Sequence, residues 1–258
     1  MRCVLRSKPV VHTVRLGFAS CMGKDMLLRY ISYFEIFKPQ SSFNYDPVTK
    51  GKGKQIDPRT GTQIEAGIKA TLLDECLNLS SAIYQLEDEN RAIADMKAPV
   101  DGYSLASGKA RSRGFEFEAS GKITDNWQIT TGYALNNTKY LEDAVMTGKP
   151  FNTFTPKHNF NLWTTYKLSA DLIEVLSIGA RLRAVSSYYD EYEGVRAQQS
   201  GYTLASANIG YDINPHYKLA LNVENLFDKT YYEKLNYWIR QNMYGSPRSA
   251  VLSLRIKY

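Results

Sequence analysis

The breaks in this chain constrain its fold more tightly than any single motif does. Segments of strand length fall at roughly 27–38, 63–73, 77–88, 108–121, 126–140, 157–168, 175–189, 201–212, 217–228 and 248–258, about ten in all. Short gaps at 74–76, 122–125, 169–174 and 213–216 alternate with long ones at 39–62, 89–107, 141–156, 190–200 and 229–247, where much of the Gly, Pro, Asn and Tyr resides. Such a rhythm predicts up-and-down antiparallel strands with every long loop at one end. Outer-membrane barrels are built this way, whereas soluble sandwiches mix their connection lengths.

Within the segments the side chains alternate with period two, the signature of a strand with two unlike faces. In the last stretch Ala250, Leu252, Leu254, Ile256 and Tyr258 share one parity, and Ser249, Val251, Ser253, Arg255 and Lys257 the other. Trp127, Ile129, Thr131, Tyr133 and Leu135 likewise oppose Gln128, Thr130, Gly132, Ala134 and Asn136, while Leu176, Ile178, Ala180, Leu182 and Ala184 oppose Ser177, Gly179, Arg181 and Arg183. For 27–38 and 77–88 the pattern does not select a face. The less apolar parity is rich in Ser, Gly, Asn and Thr and carries fewer charges than a fully solvated face. Aromatics at segment ends, such as Trp127, Tyr217 and Tyr258, stand where interfacial girdles form. These features favour a membrane barrel, with lipid outside, over a soluble one.

Composition narrows the functional classes. No apolar run is long enough for a membrane-spanning helix, and the mean hydropathy of −0.38 does not exclude a barrel, whose alternating strands average away. The net charge of +6 suits an anionic partner, but the basic residues are dispersed apart from KGKGK at 50–54, and no nucleic-acid motif is present. Cys3, Cys21 and Cys76 lack metal-type spacing, and His12, His158 and His216 are scattered without a nucleophile motif. No catalytic residue, metal site or cofactor is expected, and the reading is not that of an enzyme.

NVENLFDKTYY followed by YGSPRSAVLSLRIKY resembles the closing hairpin of TonB-dependent outer-membrane receptors. EIFKPQ at 35–40, EAGIK at 65–69, ENRA at 89–92, RSRGFEFEASGKITDNWQITTGYA at 111–134 and TPKHNFNLWTTYKL at 155–168 fall in the order found in ferric-siderophore receptors of the coprogen, rhodotorulic acid and pyoverdine types. The resemblance covers about 27–258. It implies a C-terminal portion of the receptor barrel: about ten strands, incomplete and without the plug. Such a portion would serve ferric-siderophore uptake across the outer membrane, truncated and inactive alone. The implied partners are a ferric siderophore, outer-membrane lipid and lipopolysaccharide, with the TonB system engaged only through a missing N-terminal part, and the protein a monomer. Tyr258, Ile256 and Leu254 match the terminal aromatic signal for outer-membrane assembly. Loop residues Tyr237, Trp238, Arg240 and Tyr244, with Tyr192 and Arg196, are the expected ligand contacts, since aromatic faces cover a rigid complex and Arg supplies directed charge. The competing use of the loop tyrosines is an interfacial belt against lipid.

Several local expectations accompany the resemblance. Asn225 and Asp228 should bond backbone where strand gives way to loop, and Gly114 should permit a bulge or close packing beside Phe115 and Phe117. LDECLN lacks the glycine its turn would welcome wherever φ is positive. Residues 1–26 match nothing in the family, make a poor signal peptide and carry no evident strand period, so they are expected to be disordered. The alternatives are a self-contained ten-stranded outer-membrane barrel, as a porin or surface enzyme, and a soluble tyrosine-rich β-domain.

Overall fold

The computed structural model describes residues 13–22, 25–96, 98–99, 101–168, 176–192, 194–235 and 241–257. Every regular element among them is a strand. Eleven form one antiparallel sheet: β1 (Thr13–Met22), β2 (Asp25–Lys38), β5 (Arg59–Leu72), β6 (Leu77–Ala94), β7 (Ser104–Thr124), β8 (Trp127–Glu142), β9 (His158–Lys167), β10 (Leu176–Val185), β13 (Tyr202–Asp212), β14 (Tyr217–Glu224) and β17 (Ser249–Ile256). Their order in space is their order in sequence. The remaining six make three hairpins: β3 (Phe43–Asp46) with β4 (Gly51–Gln55), β11 (Tyr188–Tyr192) with β12 (Val195–Gln199), and β15 (Tyr232–Lys234) with β16 (Met243–Tyr244). All three lie in connections at the same end of the sheet, as the alternation of gap lengths predicts.

The strand count differs from ten because of β1, within the segment expected to be disordered. Thr13–Met22 pairs with β2 over ten residues, and its own alternation places Val14, Leu16 and Phe18 on one face opposite Arg15, Gly17 and Ala19. Three apolar residues among small ones make too weak a signal to read alone, and the neighbouring ladder supplies the rest. Residues 1–12 and 23–24 lie outside the described residues. Strands β6 and β7 also run further than the sequence suggests, to Ala94 and from Ser104, which shortens the loop expected at 89–107. A bulge at Asn90 (φ 57°) carries β6 onward.

Register sorts the side chains into two faces. One contains Leu16, Ile31, Ala66, Ile83, Phe115 and Leu135, then Leu162, Leu182, Ala205, Leu221 and Leu252 on the later strands. This apolar face is open: Leu252 is 67% exposed, Leu254 57% and Phe18 76%. The opposite face holds Ser32, Ala82, Asp88, Ala110, Ser112 and Thr138, all buried. Side chains crowd on the concave side of a curved sheet and splay on the convex side, so the polar face is the concave one.

Along β8 the apolar band runs from Trp127 to Leu135, eight residues of rise. At about 3.3 Å each that is about 26 Å, or about 20 Å vertically for a strand tilted by roughly 40°. Trp127, Tyr166, Tyr211 and Tyr217 border the band at the short-turn end, where the Trp127 indole donates to Thr164 Oγ1 at 2.7 Å.

Aromatic rings bind the strands together on the polar face. The Tyr84 ring lies where a Cβ on Gly114 would stand, 2.4 Å from its phenolic end, so the glycine serves Tyr84 rather than Phe115 or Phe117. Tyr30 covers Gly67 in the same way and donates to Glu65 Oε1 at 2.7 Å. Filling a glycine with a cross-strand ring pins register as well as volume. At the opposite edge of the band, the glycine-free turn forces Leu73, Asp74 and Glu75 to φ values of 57°, 53° and 69°. The discomfort read from LDECLN is therefore real.

Candidate functional site

The long-loop end of the concave face gathers the groups able to meet a ligand. On the C-terminal side, Val185, Tyr188, Tyr202, Tyr231 and Leu235 form a buried cluster. Tyr202 and Tyr231 pack with centroids 4.4 Å apart, and the Tyr188 hydroxyl donates to the Tyr232 carbonyl. Burial raises the pKa of the Tyr188 and Tyr231 phenols above the ordinary value. This knot ties the β11–β12 hairpin to the loop between β14 and β17, helped by Tyr232 N–H donating to Gln199 Oε1 at 2.9 Å.

The NLFD stretch does what its residues predict. Asn225 (φ 49°) is buried, donates from Nδ2 to the carbonyls of Lys229 and Ser246, and accepts from Lys229 N–H, all within 3.0 Å. Asp228 accepts from Arg248 N–H at 2.9 Å.

The expected contact residues divide. Tyr237, Trp238, Arg240 and Tyr258 lie outside the described residues. Tyr192 closes β11 opposite Val195. Tyr244 is exposed and stacks on Tyr232 at 4.5 Å with their hydroxyls 3.0 Å apart, so one of its faces is already used. Arg196 donates from Nε and Nη2 to Glu191 Oε2 at 2.9 and 2.8 Å, and lies 4.0 Å over the Tyr189 ring. The bond to Glu191 raises its pKa further. Its charge is matched within its own hairpin, leaving less of it for an anion. Leu254 and Ile256 project from the apolar face of β17.

Two arginines not singled out from the sequence stand on the concave face. Arg181 and Arg183 line a cleft with Ser206, Glu224, Tyr231 and Glu233. Arg183 comes only within 4.0 Å of Glu233, and Glu224 accepts from the Ser206 hydroxyl at 2.5 Å. The available signal was that these are the only charges of β10, both on the parity opposite its leucine and isoleucine. On the N-terminal side, buried Asp88 bridges Arg59 and Arg91, the latter at 2.9 Å, and Arg91 lies 5.6 and 5.3 Å from the Tyr140 and Phe151 rings. Among the described residues no group of acids, histidines and cysteines is arranged to hold a metal. The arrangement offers aromatic surface and directed cations to a bulky anion.

Comparison with known proteins places the chain. A family model described as TonB dependent receptor-like, beta-barrel matches residues 21–226. The ferric-pyoverdine M114 receptor PbuA of Pseudomonas sp. (strain M114) is 34% identical over 238 residues, covering 91% of this chain and 28% of that protein. The catecholate siderophore receptor Fiu of Escherichia coli (strain K12) is 30% identical over 239 residues, covering 89% and 30%. The crystal structure of the outer-membrane ferripyoverdine receptor of Pseudomonas aeruginosa bound to ferripyoverdine superposes with a TM-score of 0.80 at 29% identity, over 94% of this chain and 32% of that one. The chain thus spans about 28% of the length of the first curated relatives.

Proposed function

This chain belongs to the TonB-dependent receptor-like β-barrel family, and on that premise we propose that it forms part of the wall of an outer-membrane receptor for ferric siderophores. The carrying observation is an antiparallel wall whose apolar face is open along its whole width while its concave face presents polar and cationic groups beneath long loops. The relatives are named as receptors for ferric pyoverdine and for catecholate siderophores, which supports uptake rather than catalysis. The concave face and loops would contact the ferric siderophore through Trp238, Arg240, Tyr237 and Tyr244, with Tyr192 and Arg196 in the adjoining hairpin and Arg181 and Arg183 below. The outward face would meet outer-membrane lipid and lipopolysaccharide. Energy coupling through the TonB system would involve parts of the intact monomeric receptor other than this wall.

A self-contained ten-stranded barrel is disfavoured by strand parity. With eleven strands among the described residues, β1 and β17 run in the same direction, so they cannot pair antiparallel with each other.

The test is a chimera in which residues 21–258 replace the matching part of the ferripyoverdine receptor of Pseudomonas aeruginosa. A folded, outer-membrane chimera should bind a ferric siderophore of the pyoverdine or catecholate class, and Trp238→Ala with Arg240→Ala should weaken that binding at least tenfold. A chimera that inserts and folds but binds neither class overturns the reading. Affinity within twofold after the double substitution overturns the loop assignment alone.

A further inference from the structure

We propose that the outward face carries a docking site for a phosphate-bearing lipid headgroup, formed by Arg111, Arg113 and Lys139 just beyond the apolar band. The inference rests on the membrane-wall reading and names a partner and a place for it. In the register of β7 and β8, Arg111 stands directly opposite Lys139 and Arg113 opposite Asn137. All four share the face of Phe115 and Leu135, which are themselves cross-strand partners. Like charges directly opposite on a sheet repel, so the Arg111–Lys139 pair calls for an anion.

The protein's own acids do not answer it. Glu87 is the cross-strand partner of Arg111 on β6, yet its carboxylate lies 3.4 Å from Lys109 Nζ, which also holds Glu89 at 2.7 Å. Among the described residues neither Arg111 nor Lys139 forms an ion pair. Arg113 donates from Nε to Gln85 Oε1 at 2.6 Å, a neutral partner that orients the guanidinium without neutralising it.

Depth identifies the anion's source. Ile83, Phe115, Leu135 and His158 form one cross-strand row, and Gln85, Arg113 and Asn137 form the next toward the long loops. Alternate residues of a strand are about 7 Å apart and neighbouring strands about 5 Å. The three cations therefore crowd into a patch one to two rows past the last apolar side chains. Phe115, Tyr133 and His158 line its lower border with successive centroids 6.0 and 6.1 Å apart, and Tyr133 Oη lies 2.8 Å from His158 Nδ1. An aromatic row of this kind marks the headgroup level. A lipid whose acyl chains lie along Ile83, Phe115 and Leu135 would bring its phosphate to the patch, where arginine can clasp two oxygens.

The full chain, folded in neutral maltoside micelles, is offered lipids with a phosphate headgroup and, separately, neutral glycolipids of equal chain length, and retained lipid is counted by native mass spectrometry. The wild type should retain the phosphate lipid with a preference of roughly tenfold or more. The double variant Arg111→Gln with Lys139→Gln should lose that preference, and Arg111→Lys should keep much of it. Lys139→Gln alone should leave thermal stability in phosphate-free micelles unchanged or higher and should lower it when phosphate lipid is present, a reversal that a general folding defect would not produce. Equal retention by the double variant overturns the site. Full displacement by millimolar inorganic phosphate shows a small-anion site and overturns the lipid assignment. A chain that never associates with micelles overturns the membrane-wall reading, and this inference with it.

Discussion

At the long-loop end, the two halves of the sheet fasten their loops by opposite means. In the N-terminal half the fastening is polar. Asp88, buried, lies between Arg59 and Arg91, and the Gln40 side chain donates to the carbonyls of Asp57 and Asn90 while accepting from Ala92 N–H. In the C-terminal half it is the packed group around Tyr188, Tyr202 and Tyr231. A polar clasp depends on every partner being present, because an abandoned buried charge costs more than the pair contributes. An aromatic knot draws on area and loses stability by degrees as rings are cut away. The first fixes where a loop sits, and the second holds it down.

The sharpest way to break the comparison is to empty the knot. Tyr202→Ala removes a buried ring at the centre of the cluster and should cost about 3 kcal/mol. Limited proteolysis should then show faster cleavage within 225–248 while cleavage within 39–58 stays unchanged. Accelerated cleavage of both loops would show that the two fastenings are one cooperative unit.

Asp88→Ala addresses the other side. It leaves two guanidinium groups facing each other without their carboxylate. Since Arg59 is about a third exposed, the loss should be about 2 kcal/mol rather than the larger cost of a fully buried pair. Here cleavage within 39–58 should rise, and the loop at 225–248 should be spared.

Alkaline pH separates the two without mutation. Folding holds the Tyr188 and Tyr231 phenols above their ordinary pKa, so the folded state favours the protonated form. That contribution is fully present below the unfolded pKa of about 10 and is lost as pH rises through the folded values. Hydrogen exchange followed from pH 9 to pH 11 should show 225–248 loosening first, after correction for the intrinsic rate. Simultaneous loosening of 39–58 would remove the distinction.

The smallest effect is expected at the opposite end of the sheet. Glu75→Gly relieves a side chain at φ 69°, worth about 1–2 kcal/mol, but it loosens the unfolded chain by about 0.4–1 kcal/mol. A net gain of about 0.5–1 kcal/mol in denaturant titration should leave both loop fastenings unchanged. A stability loss would show that the turn depends on the Glu75 side chain.

The sequence by itself determined the class, the rhythm of short turns and long loops, and the two faces of the C-terminal strands. In Leu176–Val185, Tyr217–Glu224 and Ser249–Ile256 every leucine and isoleucine stands on the open apolar face and every serine, with Asn222, on the concave one, so period two survives as a readable pattern in spite of Val185 and Val251 on the concave side. It also told that Asn225 and Asp228 would bind backbone and that the LDEC turn would strain, because both are local chemistry.

Tertiary structure alone decided the faces of β2 and β6. There apolar side chains stand on the concave face too. Leu28 and Phe34 share the parity of Tyr30, with Arg15 of β1 lying 5.7 and 5.8 Å from the Tyr30 and Phe34 rings. Such residues are accommodated by cations and glycines on neighbouring strands, which a strand's own sequence does not contain. For the same reason β1 is invisible until β2 pairs with it. Whether an arginine is free or already spent, as Arg111 and Arg196 differ, depends on which carboxylate the register sets beside it. Composition and period act along the chain, whereas ion pairing and the choice of face act across it.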